Sequence, residues 1–517
     1  MQTAWAHELK EDGPRLLLRG AVSAFAAVLV AAVVLLTNGN LVVPVALPIA
    51  FGVLIAMVAH PGHTFSMLLF CTLLFEQYQI FGLEAPLTLQ IPFFENFNNS
   101  LGVPLPTNPV ECLLGLVGGT WLFTSLVTRK IRFHWHPSQP VMLTWMLTLV
   151  FFMGFGIARG GVVNIALWEV RALFYLCLAY FVGTQVIRTH RDVVVNTWCI
   201  LLPVSIKGFQ GVWRWAVDLG GDIGDLHAIT SHECAVFLMT SFVFSLNLLL
   251  FQGDRRMLLY TVFTFPTSFI TFIYAQRRVA YGCLAFGFIM TFLYLPKRTK
   301  KMFLQVALPM IPVMVLYFAA FWNSTSGLAM PVQQVRSIFG EDTSGEVDSS
   351  NTYRDVEKFN LIETIRTYPA GVGFGNKYLI IMPLDAVDFP LWDYIPHNCI
   401  LWMWVKMGFL GIASFFICMG LLVIQLTIDF KTTTRPLYKC LQVTLVVFII
   451  CQVIVAYYDL QLTFYRNMVY LGTFLAMMGP VHDEAQRNAA AAEAREAKRL
   501  DDADPPGPQT GNPAEVN

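Results

Sequence analysis

"ILWMWVKMGFLGIASFFICMGLLVIQLTI", Ile400–Ile428, is apolar around its whole circumference and carries a single charge, Lys406. As a helix it is long enough to cross a hydrocarbon core of about 30 Å. A helix also satisfies its own backbone groups, which lipid cannot do. Comparable runs recur along the chain. Their cores are Ala21–Thr37, Leu41–His60, Thr64–Phe81, Val110–Val127, Val141–Ile157, Val163–Ile187 and Val193–Trp215. Then come Ala235–Phe251, Met257–Ala275, Val279–Leu295, Met302–Trp322, Cys440–Tyr457 and Leu462–Met478.

The composition agrees. The chain is 56% hydrophobic and 13% charged, with a mean hydropathy of +0.58, where soluble domains carry about 25% charged residues. The fold class is an all-α polytopic membrane protein of about 12–14 transmembrane helices, the first and last pairs deciding the count. Residues 1–322 read as the N-terminal part of the bundle and 323–396 as one large extracytoplasmic loop containing short helices. Residues 397–480 read as the C-terminal part, and 481–517, rich in Ala, Glu, Arg and Pro, as a disordered cytoplasmic tail.

Lys10, Arg15 and Arg19 precede the first run as in a signal peptide, but a second run follows almost at once, so an uncleaved helix is expected. Orientation follows from the positive-inside rule. With both termini cytoplasmic, the inner connections are Arg129–Arg132, Arg188–Arg191, Arg255–Arg256, Lys297–Lys301 and Lys431–Arg435, all basic. The outer ones include Asp218–Asp225 and the acidic stretch Glu341–Asp348.

Net charge is zero, so no global field steers a polyanion, and a nucleic-acid partner is not expected. The ten cysteines fall singly within the sequence, with no CxxC pair or metal-ligand spacing. They read as small buried hydrophobes, and no metal site or cofactor is expected.

The long loop has a pattern of its own. Ser349–Thr352 offers a helix cap, and Val356, Phe359 and Ile362 recur at helical spacing until Pro369. "YPAGVGFGNKY", Tyr368–Tyr378, follows a helix rather than a strand, so its glycines suit a tight turn with close backbone approach, not a nucleotide. "HN", His397–Asn398, then stands directly in front of the Ile400–Ile428 run.

Nine cations sit on the side that the orientation rule disfavours: Arg159, Arg171, Lys207, Arg214, Arg277, Arg278, Arg354, Lys406 and Arg466. Ionisable groups in or beside spans face the bundle interior or a wet cavity, or snorkel to the headgroups. Lys207, Gln210 and Arg214 share one helix face. Arg171 has Glu169 nearby, but residues two apart do not meet on a helix, so that pair does not explain it. As a set, the cations suggest one shared anion, and arginine forks match phosphate oxygens.

These motifs resemble, in order, the O-antigen ligase and polymerase superfamily of bacterial membrane glycosyltransferases. The resemblance rests on "WEVRALFYLCLAYFVG" with Arg171, "AQRRVAYG" with Arg278, and Arg354 opening the loop helix. It continues through the turn Pro369, Gly371, Gly373, Gly375 and then His397, Asn398, Leu401, Gly408 and Gly411. Arg277 and Val279 replace the usual Ser and Gly, and Lys406 stands where many members have an acidic residue.

The resemblance implies transfer of a glycan from undecaprenyl pyrophosphate to an acceptor hydroxyl on the periplasmic side of a bacterial inner membrane. The acceptor is lipid A-core for a ligase and a growing glycan for a polymerase. The chemistry is inverting, metal-independent and free of nucleotide sugars. His397 then reads as the general base, with Arg278 and Arg354 stabilising the leaving pyrophosphate. Arg171, Arg277, Lys207, Arg214, Asn398 and Gly373 are expected to bind substrate, Asn398 also as a helix cap. His232 is a second histidine at a helix start, with a structural role favoured. A lipid-linked glycan flippase is the competing class, but it places its cations along a central cavity between repeats, and no internal repeat is visible.

Overall fold

The computed structural model describes residues 52–80, 83, 85–101, 106–128, 133–222, 226, 228–324, 326–336, 349–384, 389 and 391–503. The expected span Ala21–Thr37, the basic connection Arg129–Arg132, the stretch Glu341–Asp348 and the chain from 504 onward lie outside these residues. The described residues are helical with no strand. We number the main helices α1 Gly52–Ala59, α2 Pro61–Leu74, α3 Pro109–Val127, α4 Gln139–Ala158, α5 Val163–Val186, α6 His190–Trp213, α7 His232–Leu250 and α8 Arg255–Tyr274. There follow α9 Arg278–Tyr294, α10 Lys297–Phe321, α11 Ser349–Thr367, α12 Cys399–Thr432, α13 Pro436–Ala456, α14 Tyr465–Ala476 and α15 Met478–Ala503.

Among the described residues, nine helices are long and apolar enough to cross a membrane: α3 to α8, α10, α12 and α13. Residues 41–51 and Phe81 lie outside the described residues, and the described parts of the runs Leu41–His60 and Thr64–Phe81 do not form one straight helix. Instead α1 and α2 meet at a bend of 110°. Pro61 opens α2; it has no N–H to continue the α1 ladder, and its ring suits a first helical turn.

The last expected span is also shorter than its apolar run. All twelve residues of α14 are buried. It packs along α5, where a Cβ on Gly472 would sit 2.4 Å from the Leu176 carbonyl oxygen. It is therefore a central strut of the protein rather than a lipid-facing crossing. At the other extreme, α10 buries none of its residues against the rest of the fold.

Disorder was expected from residue 481, but the chain stays helical to Ala503 in α15. Its Ala, Glu and Arg content favours helix, and its first turns bury Val481, His482, Glu484 and Ala485. Arg435 pairs with Glu484 at 2.8 Å. The apolar run Ile400–Ile428 is broken as well. Gly408, at φ 60° and ψ −168°, interrupts α12 and frees the carbonyls ahead of it.

Candidate active site

The break in α12 is filled by the glycine turn. Val372 N–H donates to the Val405 carbonyl (2.8 Å) and Gly373 N–H to the Lys406 carbonyl (2.9 Å). The turn needs left-handed backbone at Gly371, Gly373 and Gly375, with φ of 85°, 81° and 83°. It also needs their lack of side chains: a Cβ on Gly373 would lie 2.2 Å from Gly156 Cα. Gly375 N–H donates to Glu169 Oε2 at 2.5 Å. Glu169 Oε1 pairs with Lys406 Nζ at 2.6 Å, both side chains being 0% exposed. The turn is thus plugged between α4, α5 and α12. Gly373 is packed against Gly156 and Phe155 of α4.

That plug fixes the start of α12 and with it His397. Asn398 caps the helix, its Oδ1 accepting from Leu401 N–H at 2.9 Å, and this use occupies its side-chain oxygen. The His397 imidazole is held by Glu357 of α11. His397 Nδ1 lies 3.1 Å from Glu357 Oε1, and the His397 backbone N–H donates to Oε2 at 3.0 Å. Glu357 is 3% exposed and His397 35%, so the carboxylate is sequestered while the imidazole keeps an open side. With Nδ1–H donating to Glu357, Nε2 carries the free lone pair. The Tyr353 ring, one helical turn before Glu357, packs edge-on against the imidazole at 5.5 Å.

His397, Glu357 and Tyr353 line a cavity of about 730 Å³. Its other walls come from loop ends and helix starts far apart in sequence: Tyr78 after α2, Ser231, His232 and Glu233 at the start of α7, Arg277 before α9, and Asp459 and Phe464 between α13 and α14. Phe389 and Trp392 add apolar surface. His232 faces the same space as His397 and has its own carboxylate, Asp459, at 2.9 Å. Burial raises the Asp459 carboxyl, but the charges of His232 and Arg277, and hydrogen bonds from His232 and Gln461, hold it well below the usual range.

Arg277 Nε is buried with no hydrogen-bond partner among the described residues. Burial pushes its guanidinium down, Asp459 pushes it up, and the like charge of Arg354 pushes it down again. Two arginines of the expected set therefore bear on one another, and of the two Arg277 lines this cavity. Arg354 itself is exposed on α11.

A family model described as O-antigen ligase matches residues 263–416. That match, confined to this segment of the chain, supports the O-antigen ligase superfamily. The matched O-antigen ligase segment holds Arg277, Arg278, Arg354, Glu357, the glycine turn and His397, whereas His232 and Asp459 lie outside it. The match supports a ligase-like or polymerase-type membrane function, and the matched family implies lipid-linked glycan substrates. A search of curated proteins finds no match to the chain.

The expected single cation set divides in two. Arg171 forks onto Glu111 of α3, with Nε and Nη2 each 2.8 Å from a carboxylate oxygen. An ion pair does account for it, with a partner on another helix that local spacing could not reveal. Lys207 and Arg214 share Glu76, at 3.3 and 3.5 Å. Arg466, fully buried, pairs with Glu233 at 3.1 Å. Arg159 donates to the Gly371 carbonyl at 3.1 Å. Arg171, Lys207 and Arg214 do not line the cavity, and Arg277 does. Arg278 opens α9 beside it. The sequence gives no sign of Glu357 or Asp459 as site residues. Nothing local marks Glu357 out from Asp355 or Glu363 on the same helix; only its reach across to His397 does.

Proposed function

We propose that the cavity is the transfer site of a membrane glycosyltransferase. It moves a glycan from undecaprenyl pyrophosphate to an acceptor hydroxyl on the periplasmic side of a bacterial inner membrane. The observation that carries this reading is His397, oriented by buried Glu357 in a cavity that also holds Arg277. Orientation by a carboxylate selects the tautomer in which Nε2 can accept a proton. The acceptor oxygen attacks the anomeric carbon and its proton passes to His397 Nε2. The bond from that carbon to the phosphate oxygen breaks, and the pyrophosphate leaves with the electron pair. Arg277 and Arg354, with Arg278 at the start of α9, oppose the charge that grows on it, which favours the transition state over the ground state.

The acceptor is assigned as ligase-type, a lipid A-core hydroxyl. The aromatic faces of Tyr78, Tyr353, Trp392 and Phe464 suit the apolar faces of sugar rings. The test is purified protein given a carrier-linked glycan and an acceptor lipid, without nucleotide. Wild type should transfer, and His397→Ala should lose about 10²–10⁴-fold in rate while unfolding at the same temperature. Transfer by His397→Ala at the wild-type rate would remove the base assignment. In a strain lacking the protein, long glycans stranded on the carrier fit a ligase, whereas single repeat units there would reassign it as a polymerase.

A further inference from the structure

Far from the cavity, three side chains with metal-binding atoms converge from separate parts of the chain. They are His136 from the segment before α4, Asp429 near the end of α12, and His482 in the first turn or so of α15. Asp429 and the capped start of α12 are separated by on the order of 40 Å of helix, so this cluster is independent of the site described above. The three residues are 5%, 6% and 5% exposed, and their coordinating atoms all lie within 4.8 Å of one another. His482 Nδ1 is 2.9 Å from Asp429 Oδ2, and the two imidazole rings are 4.8 Å apart, inclined at 67°.

The surroundings hold these groups in place. His136 Nδ1 lies 2.5 Å from Ser138 Oγ, which is 2.6 Å from the Tyr180 hydroxyl. Gln425 donates to Asp429 Oδ1 at 2.9 Å. Metal-binding histidines are commonly fixed in this way through their second nitrogen, and ligating carboxylates through a neighbouring donor. The other nitrogen of His136, Nε2, is buried and has no hydrogen-bond partner among the described residues. A buried polar nitrogen left unpaired is costly, and its presence beside a second imidazole and a carboxylate calls for an occupant.

We propose that His136, Asp429 and His482 form a binding site for a divalent transition-metal ion of the zinc class, which ties α15 to the end of α12 and the start of α4. Two imidazoles and one carboxylate are a zinc-type donor set with a fourth position left for water. Bonds of about 2.0–2.2 Å place tetrahedral ligand atoms about 3.3–3.6 Å apart, so the widest pair of the cluster closes by roughly 1 Å around the ion while the His482–Asp429 pair, 2.9 Å apart, opens slightly. The ion takes the Nε2 lone pair of His136 while Nδ1–H donates to Ser138 Oγ, whose own O–H donates a hydrogen bond to the Tyr180 hydroxyl. The Ser138 backbone N–H also lies 3.2 Å from Nδ1. If that contact sets the tautomer, Nε2 carries a proton instead and the cluster is a metal-free hydrogen-bond node.

The experiment separates the two. Full-length protein in detergent is loaded with zinc, passed through a weak chelator and assayed for bound metal against a chromogenic zinc competitor. The site predicts about one zinc per chain, lost in His136→Ala and in His482→Ala. Ser138→Ala keeps all three ligands and the fold, and should weaken zinc by about 10–100-fold. Wild-type protein that retains no zinc overturns the proposal and leaves the hydrogen-bond node. Zinc retained equally by both histidine variants overturns it too, by placing the metal elsewhere.

Discussion

Lys406 and Arg354 are both cations that the topology rule places on the wrong side of the membrane, yet they end in opposite situations. Lys406 is 0% exposed and locked to Glu169, where it welds the glycine turn to α5 and α12. Arg354 is exposed on α11, with its charge felt by Arg277 at the cavity. Lys207, Arg214, Arg171 and Arg466 side with Lys406, each held by a carboxylate from a different helix or segment. An intramembrane cation is therefore first a question about its partner. Where a carboxylate answers it, the charge is structural; for Arg354 the partner proposed above is an anionic substrate.

Truncating one cation of each kind puts this division at greatest risk. Lys406→Ala leaves Glu169 buried and unpaired, and should lower stability by about 3–5 kcal/mol, read as thermal unfolding in detergent. Arg354→Ala should change stability by less than about 0.5 kcal/mol while glycan transfer falls. Equal destabilisation by the two would erase the distinction. Glu357→Gln comes next. It keeps the shape of the His397 partner but removes its charge, and should reduce transfer by about 10²-fold at unchanged unfolding temperature. A variant that unfolds instead would move Glu357 to the structural group.

Asp459 offers a test by pH. Its carboxyl is held low in the folded protein, so its contribution to stability is complete above the unfolded value near about 3.9. The contribution is lost as pH falls through the depressed folded value. Wild type should therefore lose stability below about pH 4 more steeply than Asp459→Asn, and parallel acid profiles would show that the pair with His232 contributes nothing. The smallest effect belongs to Asn398. As a helix cap its replacement by Ala should cost about 1 kcal/mol, with transfer reduced only as far as His397 is displaced. A large loss of transfer at full stability would instead restore a substrate contact.

Part of the site is legible in the amino-acid sequence. His397 and Asn398 stand out because they are polar residues directly ahead of a long apolar run, and the cap that Asn398 forms is a local matter. The glycine turn is readable as close backbone approach, since φ near +80° and missing side chains are properties of single residues. The helical character of Ser349–Thr367 follows from its spacing. Glu357, Asp459 and Glu111 are not readable, because their meaning lies in which distant helix they meet.

Composition and periodicity alone determine that this chain is a helical membrane protein, because burying backbone in lipid demands helices and leaves a hydropathy signature in each span. They do not say which apolar helices face lipid and which face protein. α10 and α7 are about equally apolar, yet α10 buries none of its residues against the rest of the fold whereas most of α7 is buried. Lipid and protein interior are nearly equivalent solvents for an apolar side chain, so only the packed structure decides. The same holds for charge. A cation has one sequence identity wherever it lies, and the carboxylate that pairs with it, or the cavity that leaves it open, is supplied by the tertiary fold.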